Sequence, residues 1–296
     1  MSKVLNELVK MLGLERIEEN LFRGQSQDLG IGHLYGGHVL GQALSAAVQT
    51  VPPDRSAHSL HAYFLRRGDV TRPVVYNVDR IRDGKSFTTR RVVAIQNGQP
   101  IFNMSASFQV QEQGFEHQDT MPDGPPPESL PTEQERVASF LKRLPAPVRA
   151  RATAERAFEV RTDDPIGDPF APTPRAPWRM VWLRATDKLP DDPALHRYLL
   201  AYISDYSFVM TALAPHGVSW ISPGMQVASI DHVMWFHQPF RCDEWLLHVM
   251  ESPSASGARG LVRGRVFTRD GRLVASTGQE GLIRDHTGDP SSQLPG

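Results

Sequence analysis

Three polar side chains fall where the surrounding sequence calls for burial. From Tyr198 to Phe236 the formal charges at neutral pH are Asp205 and Asp231 alone. Asp205 lies in Ala201-Tyr202-Ile203-Ser204-Asp205-Tyr206-Ser207-Phe208, among apolar and aromatic groups. Burial disfavours the charged form of a carboxyl, one way to obtain a usable base near neutral pH. In the run Leu273–Ile283, strand alternation puts Leu273, Ala275, Thr277, Gln279, Gly281 and Ile283 on one face. That face is otherwise apolar or small, so the Gln279 amide points inward and needs partners, while Glu280 points the other way. Ser229 shares a strand face with Val227. Taken singly, each has an ordinary reading. The Asp can bond its local backbone, and inward Ser and Gln are commonly structural. Together they make a three-point mount for a nucleophilic water, in which the carboxylate takes a proton while hydroxyl and amide hold the oxygen. A developing oxyanion also needs donors. Backbone N–H groups at a glycine-rich helix start, such as Gly36-Gly37, suit that role.

Competing chemistries lack their signatures. No G-x-S-x-G elbow and no G-x-x-x-x-G-K-[ST] phosphate loop occurs. Gly30-Ile31-Gly32 starts like a dinucleotide fingerprint, but Tyr35 sits where the third glycine belongs. The 11 histidines show no zinc-ligand spacing; His58 and His61, three apart on a strand, face opposite ways. Cys242 follows the turn-like Pro239-Phe240-Arg241 with no activating partner nearby, and reads as a packed thiol.

The elements that must position the three residues repeat. In the first half Gly36-Gly37 opens a helix, His38 to Val48. Alternating strands follow around Val74–Val78, Thr89–Ile95 and Phe102–Phe108, punctuated by Asp83-Gly84 and Asn97-Gly98. In the second half Leu195–Leu213 reads as a helix. It is followed by strands at Met225–Phe236, Glu244–Glu251, Leu261–Thr268 and, after the turn Asp270-Gly271, Leu273–Ile283. Ser59-Leu60-His61 and Ser229-Ile230-Asp231 sit at matching places, which points to a duplication. A helix followed by an antiparallel meander, used twice, is an α+β design with each helix on one sheet face.

Between the halves, residues 112–135 carry only acidic charges and include Pro122-Asp123-Gly124-Pro125-Pro126-Pro127, a linker. A linker helix is expected at Glu133–Leu144, closed by Pro145 and Pro147. The divisions are an N-terminal unit at 1–112, a linker at 113–153, a C-terminal unit at 154–289 carrying the candidate site, and a tail at 290–296.

At 296 residues, 40% hydrophobic and 22% charged, the chain can bury a sizeable core. A net charge of -1 argues against a nucleic-acid partner. One cysteine excludes an intrachain disulfide and suits a reducing compartment. Met1–Phe22 reads as an amphipathic helix without a signal-length apolar run, and no membrane-spanning run occurs elsewhere. A cytoplasmic protein with no membrane partner is the expectation.

Several runs resemble the acyl-CoA thioesterase II family over nearly the whole chain, with the linker the weakest part. In the first half they are Phe22-Arg23-Gly24-Gln25-Ser26, Tyr35-Gly36-Gly37-His38-Val39-Leu40-Gly41-Gln42-Ala43 and His58-Ser59-Leu60-His61-Ala62-Tyr63-Phe64-Leu65. In the second they are Ser204-Asp205, Ile230-Asp231-His232-Val233-Met234-Trp235-Phe236-His237, Ser254-Ala255-Ser256-Gly257-Ala258-Arg259-Gly260 and Val274-Ala275-Ser276-Thr277-Gly278-Gln279-Glu280-Gly281. The resemblance implies a double hotdog, each helix wrapped by its own antiparallel sheet. It implies hydrolysis of medium- to long-chain fatty acyl-CoA to free acid and coenzyme A without a metal or organic cofactor. It also implies that Asp205, Ser229 and Gln279 hold the attacking water, and that the chain forms a homo-oligomer, a dimer or tetramer. The hydroxyl position is often Thr in this family; Ser229 keeps the hydroxyl and loses the methyl that fixes its rotamer. Basic side chains gather in Arg55–Arg91 and from Arg259 to Arg272, mostly as solvated strand faces. Arg259, in the loop Ser254–Gly260, is the candidate to meet coenzyme A phosphates. Two alternatives stand beside this reading. A hotdog hydratase or dehydratase would need an Asp–His pair that is not found. A non-catalytic acyl-CoA binder would not need the three polar positions.

Aligning Asn97-Gly98 with Asp270-Gly271 puts Ala106 in the place of Gln279. One active site per chain is therefore expected, and titration with a tight-binding substrate analogue should saturate at one equivalent per chain. Two equivalent sites would overturn the assignment.

Overall fold

Turn chemistry and strand alternation set most of the architecture. The computed structural model describes residues 1–138, 140–144, 146–163 and 169–287; the expected tail lies outside them. Helix α1 (Lys3–Leu12) buries Leu5, Leu8, Met11 and Leu12, and is capped by the Ser2 hydroxyl. The helix expected through Phe22 stops there. The chain instead makes an edge hairpin, β1 (Glu15–Glu18) and β2 (Leu21–Gly24). Helix α2 (Gly36–Val48) comes next. Then follow β3 (Arg55–Phe64), β4 (Val74–Asp83), β5 (Phe87–Gln96) and β6 (Gln99–Val110). Asn97 and Gly98 both adopt positive φ, 50° and 70°, the conformation a two-residue hairpin turn requires.

The linker helix is shorter than expected: α3 (Glu133–Val137) is opened by a Thr132–Glu135 capping box and followed by one 3-10 turn. A second helix, α4 (Ala146–Thr153), starts where a stop was expected, because proline is tolerated in a first helical turn. The second half then runs β7 (Phe158–Thr162), β8 (Trp178–Ala185), α5 (Pro193–Ser204) and α6 (Met210–Leu213). It closes with β9 (Met225–Ser229), β10 (Asp231–Phe236), β11 (Leu246–Ser256), β12 (Arg259–Thr268) and β13 (Leu273–Asp285). The single helix expected over Leu195–Leu213 is broken: Asp205 caps α5, and Ser207 turns the chain with φ 56°. The expected loop Ser254–Gly260 is a strand hairpin turning at Gly257-Ala258.

The sheet order is β1-β2-β4-β5-β6-β3-β10-β13-β12-β11-β8-β7, with β9 also on β13. β2-α2-β3-β4-β5-β6 and β8-α5-β10-β11-β12-β13 thus have the same connectivity and the same strand order, joined through the antiparallel pair β3–β10. This is the expected α+β arrangement, a helix against its own sheet in each half. The register moves one expected match by two residues. With Ala106 laid on Gln279, the pairings Phe108↔Ala57 and Gly281↔Ser229 place Ala57, not Ser59, opposite the role of Ser229.

One core runs from Leu5 and Leu44 through Leu60 to Leu199, Phe236 and Ala275, across both halves. A separate cluster of Met180, Trp182, Trp245, Leu247, Val249 and Phe267 lies on the other face of the second-half sheet. It is covered by Met121 and Leu130 of the linker, and Trp182 donates to the Pro125 carbonyl at 3.0 Å. No helix among the described residues is long and apolar enough to cross a membrane.

Helices α2 and α5 pack antiparallel, and glycine sets how closely. A Cβ on Gly37 would stand 2.0 Å from the Tyr202 carbonyl oxygen. One on Gly41 would stand 3.1 Å from that of Tyr198 and 2.9 Å from a Leu12 methyl. Gly37→Ala meets backbone at 2.0 Å, which cannot yield, whereas Gly41→Ala meets the end of a Leu side chain and backbone only at 3.1 Å, where a shift of a few tenths of an ångström suffices. We expect Gly37→Ala to lie at or beyond the upper end of the roughly 1–3 kcal/mol cost of overpacking, and Gly41→Ala near the lower end. Urea melts of the two variants check this, and the reverse ranking would contradict the helix contact.

Candidate active site

Asp205 ends α5 with its carboxylate turned toward the start of α2. It is 9% exposed, and a buried carboxylate needs donors. Three face it. The Gly37 backbone N–H donates to Oδ2 at 3.0 Å, the Gln279 amide Nε2 donates to Oδ1 at 3.0 Å, and the Ser229 hydroxyl donates to Oδ1 at 3.3 Å. Gln279 Nε2 also donates to Ser229 Oγ at 2.6 Å. The three residues singled out from sequence therefore form one hydrogen-bonded cluster at the seam of the two halves.

Each is put there by a distinct local device. Gln279 is inward on β13 by alternation and is 1% exposed. Ser229 ends β9 at a break that was not expected, since Met225–Phe236 read as one strand. At the break Ile230 donates to the Glu280 carbonyl and accepts from Phe64 N–H, both at 2.9 Å, so its backbone bridges β13 and β3. Asp231 stays close by, accepting from Glu280 N–H at 2.7 Å, and partial burial raises its carboxyl above the usual range.

The glycines play a different part from the one expected. Gly37 N–H is bonded to the Asp205 carboxylate rather than standing free as an oxyanion donor. A Cβ on Gly36 would stand 2.6 Å from Asp205 Oδ2 and 2.9 Å from the Phe64 ring, so its absence keeps that flank of the carboxylate clear. The start of α2 still contributes the positive end of a helix dipole, which favours negative charge. Arg259 is at the surface, its Nε on Glu280 Oε1 at 2.8 Å. It does not join the cluster.

Two groups of residues had no role in the sequence reading. Tyr206, next to the carboxylate, has its hydroxyl between Glu133 of the linker and Arg156, which donates to it at 2.8 Å. Burial pushes that phenol up to about 12. No local sequence signal announces a contact made by a linker residue. Behind Gln279 lie His232 and His248, both inward on their strands. Burial keeps both neutral, His248 down to about 3. For His232 a signal existed: strand alternation from Met234 places it inward.

Known proteins match along nearly the whole chain. A family model described as acyl-CoA thioesterase matches residues 148–282, and one described as acyl-CoA thioesterase N-terminal domain matches residues 25–109. The chain is 46% identical to acyl-CoA thioesterase 2 of Haemophilus influenzae over 284 residues, 96% of this chain and 99% of that protein. The solved acyl-CoA thioesterase II TesB2 from Mycobacterium marinum superposes with a TM-score of 0.77 at 43% identity, covering 94% of this chain and 98% of that one. A hot dog fold protein from Alicyclobacillus acidocaldarius shares the fold at a TM-score of 0.74 and 21% identity, over 94% of this chain and 98% of that one.

Cys242 is fully buried, with its thiol on the His196 carbonyl at 3.2 Å, and burial pushes its ionisation far up. The folded protein should therefore be silent to an aromatic disulfide reagent at neutral pH and react with one equivalent after denaturation. Rapid reaction of the native protein would contradict this packing.

Proposed function

This chain belongs to the acyl-CoA thioesterase family and hydrolyses acyl-CoA to a free acid and coenzyme A, and we propose that a water held by Asp205, Ser229 and Gln279 makes the attack. The observation that carries the proposal is the convergence of these three side chains on one point at the start of α2. Asp205 takes a proton from the water as its oxygen bonds to the thioester carbonyl carbon. Ser229 Oγ and the Gln279 amide hold the water on line. The carbonyl oxygen gains negative charge beside the helix N-terminus, where the dipole and the bare flank at Gly36 favour it. The carbon–sulfur bond then breaks, and the proton held by Asp205 goes to the departing thiolate. A thiolate is a good leaving group, so no further activation is required.

The reading extends to medium- and long-chain acyl groups and to two hotdog units, 1–112 and 154–289, joined by a linker at 113–153. The repeated strand order supports the division. It includes Arg259 as a contact for coenzyme A phosphates, by exchanging its Glu280 partner. It includes a cytoplasmic homo-oligomer, supported by one buried free cysteine and by Tyr63 and Trp235, which stand 54% and 39% exposed on adjacent strands at the seam.

Steady-state kinetics on one acyl-CoA, with folding checked by melts, test the mechanism. Asp205→Asn should lower kcat by about a hundredfold to ten-thousandfold, the usual cost of losing a general base. Gln279→Ala should lose on the order of a hundredfold, as for a positioned donor. Ser229→Ala should be mildest, because water partly replaces a hydroxyl, and Ser229→Thr should be tolerated. A well-folded Asp205→Asn enzyme with near-normal kcat would refute the mechanism and leave the family assignment standing.

A further inference from the structure

We infer that His232 is a positioning residue for hydrolysis, which fixes the Gln279 amide so that its NH2 faces Asp205, Ser229 and the water. The inference rests on the catalytic reading above. Gln279 can present either end of its amide to the site. Only the NH2 end can donate to Asp205 Oδ1 and Ser229 Oγ, as its two hydrogens do here, and give one of those hydrogens to a water that enters between them; the oxygen end would repel the carboxylate. The carboxylate turns the oxygen away, and His232 holds it there. Its Nδ1 stands 2.7 Å from Gln279 Oε1.

The ring's own state is set one step further back. It is fully buried, and burial keeps it neutral, so it carries one N–H. Gln279 Oε1 can only accept, so that hydrogen is on Nδ1 and Nε2 is left with a lone pair. With Nε2 left as an acceptor, the Ser204 hydroxyl, at 2.9 Å, gives it its one hydrogen in preference to the Ala201 carbonyl, which also lies within reach at 3.0 Å. Ser204 is the last residue of α5, next to Asp205. A chain of donors thus runs Ser204 to His232 to Gln279 to Asp205, starting and ending on adjacent residues. The ring cannot swing out, because Phe208 lies against it with centroids 5.8 Å apart and also stacks on His248 at 5.2 Å. His248 is tied to Thr277 Oγ1 at 3.0 Å, two residues before Gln279 on the same face of β13. The first half, which lacks the candidate cluster, has Leu60 at the matching position, paired with Ala106.

The test compares His232→Leu, which fills the space without a donor, with His232→Asn, whose side-chain NH2 can occupy the Nδ1 position. His232→Leu should lower kcat on the order of tenfold to a hundredfold, the size seen when an orienting partner is lost, with KM little changed. His232→Asn should recover most of that loss even though it packs less well. In a Gln279→Ala background, His232→Leu should add no further loss. Nitrogen-15 NMR of the wild-type ring should show a protonated Nδ1 and a bare Nε2, a readout that needs no variant to fold. The inference is overturned by near-normal kcat in His232→Leu, by equal impairment of the Leu and Asn variants, by losses that multiply with Gln279→Ala, or by the opposite tautomer. Wild-type kcat in Gln279→Ala itself would overturn the catalytic reading, and this inference with it.

Discussion

The contact between Gly37 N–H and the Asp205 carboxylate is the constraint on which the site depends. Asp205 caps the C-terminus of α5, where the carbonyl ends of the helix are already negative. A second negative group there, nearly out of solvent, is unfavourable unless donors and an opposing field meet it. The N-terminus of α2 supplies both, with an N–H of its first turn that has no partner within the helix and the positive end of its dipole. This arrangement works only if the two helices run antiparallel with their ends flush and their backbones nearly touching. Gly37 and Gly41 allow the approach. The β3–β10 pairing, which makes two sheets one, holds the register. The half that carries the polar side chains is incomplete without the half that carries none.

The same constraint accounts for the irregular backbone around the site. Asp205 itself keeps helical φ and ψ, -75° and -11°, so the last turn of α5 aims its carboxylate at Gly37. The turn at Ser207 ends the helix there and returns Phe208 to the core. If β9 and β10 were one straight strand, Ser229 would follow the register of Val233 on β13. The break at Ile230 moves it opposite Gly281, within reach of both Asp205 and Gln279. Irregularities of this kind are expected where a local rule gives way to a functional demand.

The sequence was most legible where a single local signal governs the element. Asn97-Gly98 and Asp270-Gly271 mark hairpins because tight turns need positive φ, and the strands beside them alternate because one face meets a helix. The three polar residues were legible for the same reason, as polar groups at inward places. β8 was not legible, since Trp178–Ala185 is buried on both faces, by the core and by the linker. Its apolar run, Met180–Leu183, is short, does not alternate and is flanked by Arg179 and Arg184, so it gives no strand period. The linker helix starts at Glu133 as expected, behind a local capping box, and α1 ends at a local signal, the C-cap Gly13; the early end of α3 and the break after Asp205, where Tyr206 meets Glu133 of the linker, were not read from local patterns. The mismatch of Ser59 with Ser229 has the same origin, because letters resemble each other where the pairing register differs by two.

The duplicated halves have diverged along one line of physical economy. At the positions of Ser229, Gln279 and His232 the first half has Ala57, Ala106 and Leu60, all buried and apolar. A fully bonded buried polar pair gains little over apolar groups of the same shape and is costly when a partner is missing, so a second cluster of this kind brings the fold little and puts it at risk. The first half can lose it because its contribution to the site is made by backbone. A helix N–H needs no side chain, and here it tolerates none, since a Cβ at Gly36 or Gly37 would strike the carboxylate or the facing helix. Loss of polar side chains in one half and retention of glycine at its helix start are therefore two sides of one arrangement. The second half pays in turn with a network that must be complete from Ser204 to Asp205, because any unbonded member would leave a buried donor or acceptor unsatisfied.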